Sequence, residues 1–183
     1  ACTAKQLIKT PLVECLTQPY TFLSNDCLIA ALVPEGRGPI PESDSVPKGP
    51  LVQENYGKKR PGRTQPDALK NPHDEDLFDY FAKSQLTKIR LDGSTSKLGP
   101  ADVYSTFEPS PDSKHVLVSI VHRPYSYKVY YDRFPHKIQI WSAEDGTMEK
   151  EIVDKPLAEE VPIDFAAVPT GPRSFDWRAD SDA

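Results

Sequence analysis

Short apolar runs alternate with turn-forming residues along much of the chain, most clearly in its second half. Residues 115–121 form a β-branched run, 137–141 alternate apolar and polar positions, and 147–153 can follow as a return strand. Such runs favour β-strands because β-branched side chains fit the pleated surface of a sheet. The Pro-, Ser- and Asp-containing segment 109–113 favours a turn before the first of them. The sequence therefore predicts three antiparallel strands here, like one blade of a β-propeller.

The same order of features occurs earlier in the chain. An aromatic residue, a polar turn with Asp26 and an apolar strand at 27–33 repeat the pattern around Asp112, and a third copy begins at residue 175. Without the insertions between them, these copies have roughly the 40–50-residue spacing of propeller blades. Asp92-Gly93, between a strand predicted at 85–91 and its return at 94–98, is a strong signal for a further hairpin. We predict a mainly β fold: a partial β-propeller of about two blades and the start of a third.

One helix and one long loop interrupt these strands. Asn71 can cap a helix and Pro72 suits its first position, so we predict a short helix over 71–83. Its expected apolar face comprises Leu77, Phe78, Phe81 and Leu86. Residues 34–72 are rich in Pro, Gly and Lys and lack apolar periodicity, which indicates a long surface insertion.

Composition narrows the classes of function. The chain has 183 residues, 38% of them hydrophobic, 19 prolines and a net charge of −5. An acidic chain has no global electrostatic footprint for nucleic acid, and its longest apolar run, 27–33, is too short to cross a membrane. The three cysteines lack paired spacing, which favours free thiols in a reducing compartment. We therefore expect neither nucleic acid nor membrane as a partner.

Several motifs suggest chemistry, but in each case a structural interpretation is stronger. Gly36-x-Gly38 lacks the third glycine of a nucleotide-binding turn, since residue 41 is Pro. The basic run 58–63 is better explained as a solvated linker than as a nucleic-acid patch, and the acids at 74–76 as a helix start than as a metal site. The chain has no Gly-x-Ser-x-Gly motif, and its four histidines have no evident Ser or Asp partners. No catalytic residue, metal or other cofactor is predicted.

The segment 123–135 is the most distinctive stretch of the chain. It holds four tyrosines, one phenylalanine and two arginines. One interpretation is a long β-hairpin whose aromatic side chains cover the edge of a blade. The other is a recognition loop, in which tyrosines give rigid contact area and arginines bind carboxylates.

Four segments carry a resemblance to a known family. They are SPDSKHVLVSIVHRPYSYKVYYDRFPHKIQIW, KPLAEEVPIDFAAVPTGPRSFDWRAD, LVPEGRG and KNPHDEDLFDYFAKSQL. Together they resemble the N-terminal β-propeller of glutamyl endopeptidases, the chloroplast-type and related bacterial members of the prolyl oligopeptidase family of serine peptidases. The resemblance runs from about Phe22 to Asp180.

The resemblance implies a propeller that caps a C-terminal α/β-hydrolase domain holding the Ser-Asp-His triad. Because no triad is evident here, residues 1–183 are expected to be a fragment of the propeller, with the catalytic domain absent. The implied partners are that hydrolase domain and peptide or unfolded polypeptide substrates, cleaved after Glu. The implied compartment is the chloroplast stroma for a plant or algal source, and otherwise that of a soluble bacterial protein.

Cleavage after Glu requires a cation near the substrate, which makes the arginines of segment 123–135 candidates. We predict substrate-binding roles for Arg123, Tyr125, Tyr127 and Arg133. The alternative is that the chain is a self-standing β-rich interaction module without enzymatic activity. The two hypotheses differ in what should follow Ala183 in the gene.

Overall fold

A single antiparallel sheet dominates the computed structural model, which describes residues 4–43, 57, 67–161, 167 and 169–179. Within these residues the strands follow one another in the sheet in chain order, and each is antiparallel to the next. The elements are β1 (Tyr20–Phe22), β2 (Cys27–Leu32), α1 (Pro72–Ala82), β3 (Lys83–Arg90), β4 (Thr95–Pro109), β5 (His115–Val121), β6 (His136–Ser142) and β7 (Met148–Lys155). The predicted mainly β fold with one short helix is confirmed.

The long strand β4 joins two four-stranded halves of the sheet. Its first part pairs with β3, where Val103 lies opposite Lys83, and its second part pairs with β5, where Tyr104 lies opposite Ile120. Register shifts interrupt both ladders, and such irregularities bend a strand and increase its twist. The sheet therefore curls, and its two meanders fit a partial propeller-like fold.

The main core lies along the two meanders. It is built from alternating side chains of β2 to β6, among them Ile29, Leu86, Leu98, Val116, Val118 and Trp141. Gly99 and Gly146 permit the close approach of two turns to this core. Both have positive φ, and a Cβ on Gly99 would lie 2.2 Å from the Trp141 ring, while one on Gly146 would lie 2.1 Å from the Gly99 nitrogen. A larger residue would have to displace the Trp141 ring at the first position and the backbone at Gly99 at the second.

The predicted strands agree closely with the structure. The run 115–121 coincides with β5, and the run 137–141 lies within β6. Gly93 has the positive φ expected of the Asp-Gly turn, but the return strand continues well beyond 98, because β4 reaches Pro109. The third copy of the pattern has no strand among residues 171–179; instead, the Trp177 indole donates a hydrogen bond to the Glu108 carbonyl at 2.9 Å.

The helix begins as predicted, but its apolar face differs. The Asn71 side chain accepts a hydrogen bond from the Asp74 amide at 2.9 Å, and Pro72 opens the helix. The assignment of Phe81 to a buried face is wrong, since this side chain is 45% exposed. Leu86 is fully buried but belongs to β3, because the chain passes directly from α1 into that strand. Phe78 and Ala82 make the packing contacts of the helix instead.

Of the 34–72 insertion, the structure describes residues 34–43, 57 and 67–72. Residues 34–43 contain no helix or strand, and Arg37 fastens this segment to the C-terminal end of α1. Its guanidinium donates to the carbonyls of Phe81 and Lys83 at 3.3 and 3.1 Å. The basic run 58–63 lies outside the described residues. Within the described part of the chain, no helix has the length and apolar character needed to cross a membrane.

Candidate binding loop and its anchoring helix

The segment between β5 and β6, residues 122–135, is a loop that folds over α1; we call it the aromatic loop. It contains a short 3-10 helix, Tyr131–Arg133, and no strand. The hairpin interpretation is therefore wrong. Proline supplies no amide donor for a strand ladder, and Pro124 and Pro135 lie near the two ends of the loop. One backbone hydrogen bond, from the His122 amide to the Pro135 carbonyl at 3.0 Å, closes the base of the loop.

One face of α1 presents three carboxylates to the loop. Asp79 follows Glu75 by four residues and Asp76 by three, spacings that place side chains on neighbouring positions of a helix surface. Arg123 contacts all three. Its guanidinium lies 2.5 Å from Glu75 and 3.0 Å from Asp76, and it donates two hydrogen bonds to Asp79 at 2.9 and 3.1 Å. The loop is thus fixed to the helix through one cation and three acids.

Two tyrosines bind the same acids. The Tyr125 hydroxyl donates to Asp79, and the Tyr127 hydroxyl donates to Glu75 at 2.7 Å. The Arg123 guanidinium lies 5.2 Å from the centre of the Tyr125 ring, within the range of a cation–π interaction. Arg123, Tyr125 and Tyr127, three of the four predicted site residues, therefore form one cluster, which we call the Arg123 cluster.

The acids also set the protonation of the cluster. Burial, followed by the hydrogen bond and charge of Glu75, raises the pKa of Tyr127 to about 12. Burial and Asp79 raise the pKa of Tyr125 well above its usual value. Burial alone would lower the pKa of Arg123, but the hydrogen bonds and charges of its carboxylate partners outweigh this effect and raise it. Both tyrosines are neutral donors and Arg123 is charged at every physiological pH.

Aromatic packing lies beneath the polar cluster. The Tyr125 and Phe134 rings stack with centroids 5.0 Å apart, and Phe78 of α1 meets both edge-on at 5.0 and 5.8 Å. Aromatic pairs at these separations add stabilisation beyond the area they bury. The loop is therefore held by apolar contacts as well as by charge.

A second anchor holds the other side of the loop. Glu159 accepts a hydrogen bond from Ser126 at 2.8 Å and pairs with Lys128 at 3.0 Å. The Arg133 guanidinium donates to the Val161 carbonyl at 2.5 Å, and the Arg133 carbonyl accepts from the Ala158 amide at 2.9 Å. Arg133 thus lies against segment 156–161 and is not part of the Arg123 cluster.

Two histidines lie at the ends of the loop, where it follows β5 and precedes β6. His122 pairs with Asp154 of β7 at 2.8 Å, and the buried His136 bonds the Phe134 carbonyl at 2.6 Å through Nδ1. Burial lowers the pKa of His136. Both contacts position the ends of the loop, and the expectation that the histidines have no Asp partner is wrong for His122. Among the described residues, no group of three or more potential metal ligands occurs.

Reasoning from the sequence missed the acids that hold the loop. Glu75 and Asp76 were assigned only to the helix start, and neither Asp79 nor Glu159 was singled out. The spacing of Glu75 and Asp79 was an available signal, because residues four apart on a helix are neighbours. Nothing local in the sequence identifies Glu159 as the partner of Ser126 and Lys128.

The structure is a curled, propeller-like sheet with a firmly anchored loop. Comparison of its sequence with known proteins shows similarity to endopeptidases. The chain is 40% identical, over 98% of its length, to a protein from Oryza sativa subsp. japonica called "Probable glutamyl endopeptidase, chloroplastic". It is also 40% identical, over 92% of its length, to a protein of the same description from Arabidopsis thaliana. The predicted resemblance to glutamyl endopeptidases is confirmed.

The chain spans about a fifth of the length of these curated relatives, 19% and 18% respectively. That share is consistent with the predicted fragment of a longer protein. No family model and no solved structure matches the chain.

Proposed function

We propose that this chain is the non-catalytic propeller part of a serine endopeptidase that cleaves after Glu. The observation that carries the proposal is 40% identity, over nearly the whole chain, to relatives named as glutamyl endopeptidases. The absence of a Gly-x-Ser-x-Gly motif from the 183 residues supports a non-catalytic role. The catalytic Ser would lie in an α/β-hydrolase domain of the longer protein.

The role of this part would be to restrict access to the catalytic domain. Peptides and unfolded polypeptides would pass the propeller, and folded proteins would be excluded. The doubly anchored aromatic loop supports this proposal, because a rim that excludes folded chains must keep its shape. The chloroplastic relatives support the chloroplast as the compartment if the source is a plant or alga.

Of the four candidate substrate-binding residues, Arg133 has the geometry best suited to direct contact. It lines a cavity of about 310 Å³ with a second cation, Lys155, with one acid, Asp132, at the border, and with the apolar side chains of Val153 and Leu157. Such a cavity matches the apolar stem and carboxylate of a glutamate side chain, and an arginine can bind a carboxylate through two parallel hydrogen bonds. We propose that Arg133 contacts the substrate carboxylate.

Arg123 would have a positioning role in this proposal. Its three carboxylate partners already compensate its charge and would repel a fourth. Direct contact by Arg123, Tyr125 and Tyr127 would require a substrate glutamate to displace an acid of α1. We therefore propose that these three residues hold the loop in place while Arg133 contacts the substrate.

Kinetics of the full-length enzyme distinguish the two roles. Replacing Arg133 by Ala should lower kcat/KM for a Glu peptide by a factor that corresponds to about 2–5 kcal/mol of lost transition-state stabilisation, the loss typical of a desolvated charge pair. The kcat/KM for the matched Gln peptide should change much less. Arg123→Ala should lower both rates equally. Arg90, an exposed arginine paired with Asp26 at 3.4 Å, provides the control variant. Equal effects of Arg133→Ala on both peptides would refute direct contact.

The reading frame of the gene tests the wider proposal. It should continue beyond Ala183 through further blades to a Gly-x-Ser-x-Gly segment. A stop codon directly after Ala183 would contradict the proposal and favour the alternative, a self-standing interaction module.

A further inference from the structure

We propose that a pocket between α1 and the aromatic loop binds an arginine or lysine side chain of an extended polypeptide. We call it the aromatic pocket. It does not include the Arg123 cluster, and it adjoins the Arg133 cavity, with which it shares Asp132 and Phe134. The inference does not depend on the endopeptidase role, because it concerns a binding site within residues 67–134.

The aromatic pocket has the size and lining of a ligand site. Its volume is about 480 Å³, within the usual range of roughly 300–1,000 Å³ for such sites. Its walls are mainly apolar and include Leu69, Phe78, Val129, Tyr130, Tyr131 and Phe134. Five of the nine described residues that line it belong to the aromatic loop, namely Val129, Tyr130, Tyr131, Asp132 and Phe134, so the loop forms much of the site.

The walls are held in place without a ligand. Phe134 is 3% exposed and packs edge-on against Phe78 at 5.8 Å. The Tyr131 hydroxyl donates to the Leu16 carbonyl at 3.1 Å, which fixes that ring. A preformed pocket of this kind avoids the entropy loss of ordering its side chains on binding. Tyr130, at 37% exposed, is the wall most open to solvent.

The charges that line the aromatic pocket indicate which kind of ligand it binds. Two carboxylates, Asp67 and Asp132, line the pocket, and no Lys, Arg or His is among the described residues that line it. Neither carboxylate forms a hydrogen bond or ion pair within the described part of the chain. The neighbouring Arg133 is directed to the Val161 carbonyl. Aromatic faces attract cations, and unpaired acids add to that attraction, so a cation is the complementary ligand.

A polypeptide side chain fits this arrangement better than a small amine does. Arg and Lys place a long apolar stem against apolar surface while their charged end stays at the polar rim. The aromatic walls can cover the stem, and Asp67 and Asp132 can receive the cation. Both acids are exposed, which keeps the entrance open to a passing chain.

The test is a titration of ¹⁵N-labelled chain 1–183, followed by NMR, with two peptides. They are acetyl-Gly-Leu-Arg-Leu-Gly-amide and the same peptide with Gln in place of Arg. We expect shifts in the amides of 67–69 and 129–134, and about tenfold weaker binding of the Gln peptide, as loss of a cation–π contact and a charge pair implies. Asp67→Asn and Asp132→Asn should each weaken binding of the Arg peptide about threefold to tenfold.

The controls separate this site from general electrostatics. Glu144→Gln removes an exposed acid outside the pocket and should leave the affinity unchanged. Equal affinity for the two peptides, or shifts confined to other regions, would overturn the proposal. A tenfold gain in affinity after replacing the cations of the 58–63 run by Ser would also overturn it, because the chain's own basic segment would then be the occupant. The spectra of the variants report directly whether each one remains folded.

Discussion

Asp79 is the acid on which the Arg123 cluster depends most, and Asp79→Ala should release the aromatic loop. This carboxylate accepts two hydrogen bonds from Arg123 and one from the Tyr125 hydroxyl. The bond from the partly buried Tyr125 to a charged acceptor is worth about 1.5–3 kcal/mol. The pair with Arg123 adds only about 0–1 kcal/mol, because the Arg123 side chain is 45% exposed and solvent screens it. We therefore expect a loss of about 2–3 kcal/mol for local opening of the loop.

Amide hydrogen exchange measures this opening directly. The Lys128, Arg133 and Phe134 amides are hydrogen-bonded within the loop, at 3.0, 3.0 and 3.1 Å. At 1.4 kcal/mol per factor of ten, Asp79→Ala should accelerate their exchange about 30- to 100-fold. Local exchange is preferable to a global melt because it does not require the whole chain to unfold in one step.

A matched variant and a double-mutant cycle make the result specific. Asp76 contacts the same arginine at 3.0 Å but is 59% exposed, so Asp76→Ala should accelerate exchange less than about fivefold. Combining Asp79→Ala with Tyr125→Phe should show a coupling of about 1–2 kcal/mol. Equal acceleration in the Asp76 and Asp79 variants, or none in either, would refute the account of the loop as anchored through Asp79.

Three further predictions concern the fold. Gly146→Ala should lower the melting temperature by about 5 °C or more, because its Cβ would clash with the backbone at Gly99. Gly93→Ala should have at most half that effect, because its Cβ would meet only the Leu7 carbonyl, at an ordinary contact distance of 3.9 Å. The pKa of His136 lies below its usual 6.5 in the folded chain, so folding favours the neutral imidazole. This contribution to the free energy of unfolding is complete above pH 6.5 and is lost as the pH falls from 6.5 through the lower pKa of the folded state. The urea midpoint should therefore fall from pH 7 to pH 5, and it should fall less in His136→Gln. Chain 1–183 should self-associate through its edge strands β1 and β7, and light scattering that shows only monomer at high concentration would contradict this.

Local signals in the sequence were sufficient for most of the secondary structure. The β-branched run 115–121 and the cap at Asn71 each depend on neighbouring residues, so propensity and capping locate them well. The Asp92-Gly93 turn is equally local, because its φ requirement is met by one glycine.

The candidate site was only partly predictable, because its contacts join distant parts of the chain. The loop and its four candidate site residues were evident from composition. The hydrogen bonds from Arg123 to Asp79 and Glu75, however, join residues that are 44 and 48 positions apart in the chain. No pattern in the loop indicates that α1 will cover it. Burial of Phe81 was predicted from helical periodicity alone, but this side chain is 45% exposed, since periodicity does not show which neighbours will cover a helix face.

Activity of the complete gene product tests the central claim most directly. The protein encoded by the full reading frame and the chain 1–183 alone should be compared on matched Glu and Gln peptides and with a fluorophosphonate probe. We predict that the full protein cleaves after Glu, strongly prefers it to Gln and labels at one serine, while chain 1–183 neither cleaves nor labels. Labelling of a serine within 1–183, or a full-length product that does not distinguish Glu from Gln, would contradict the account.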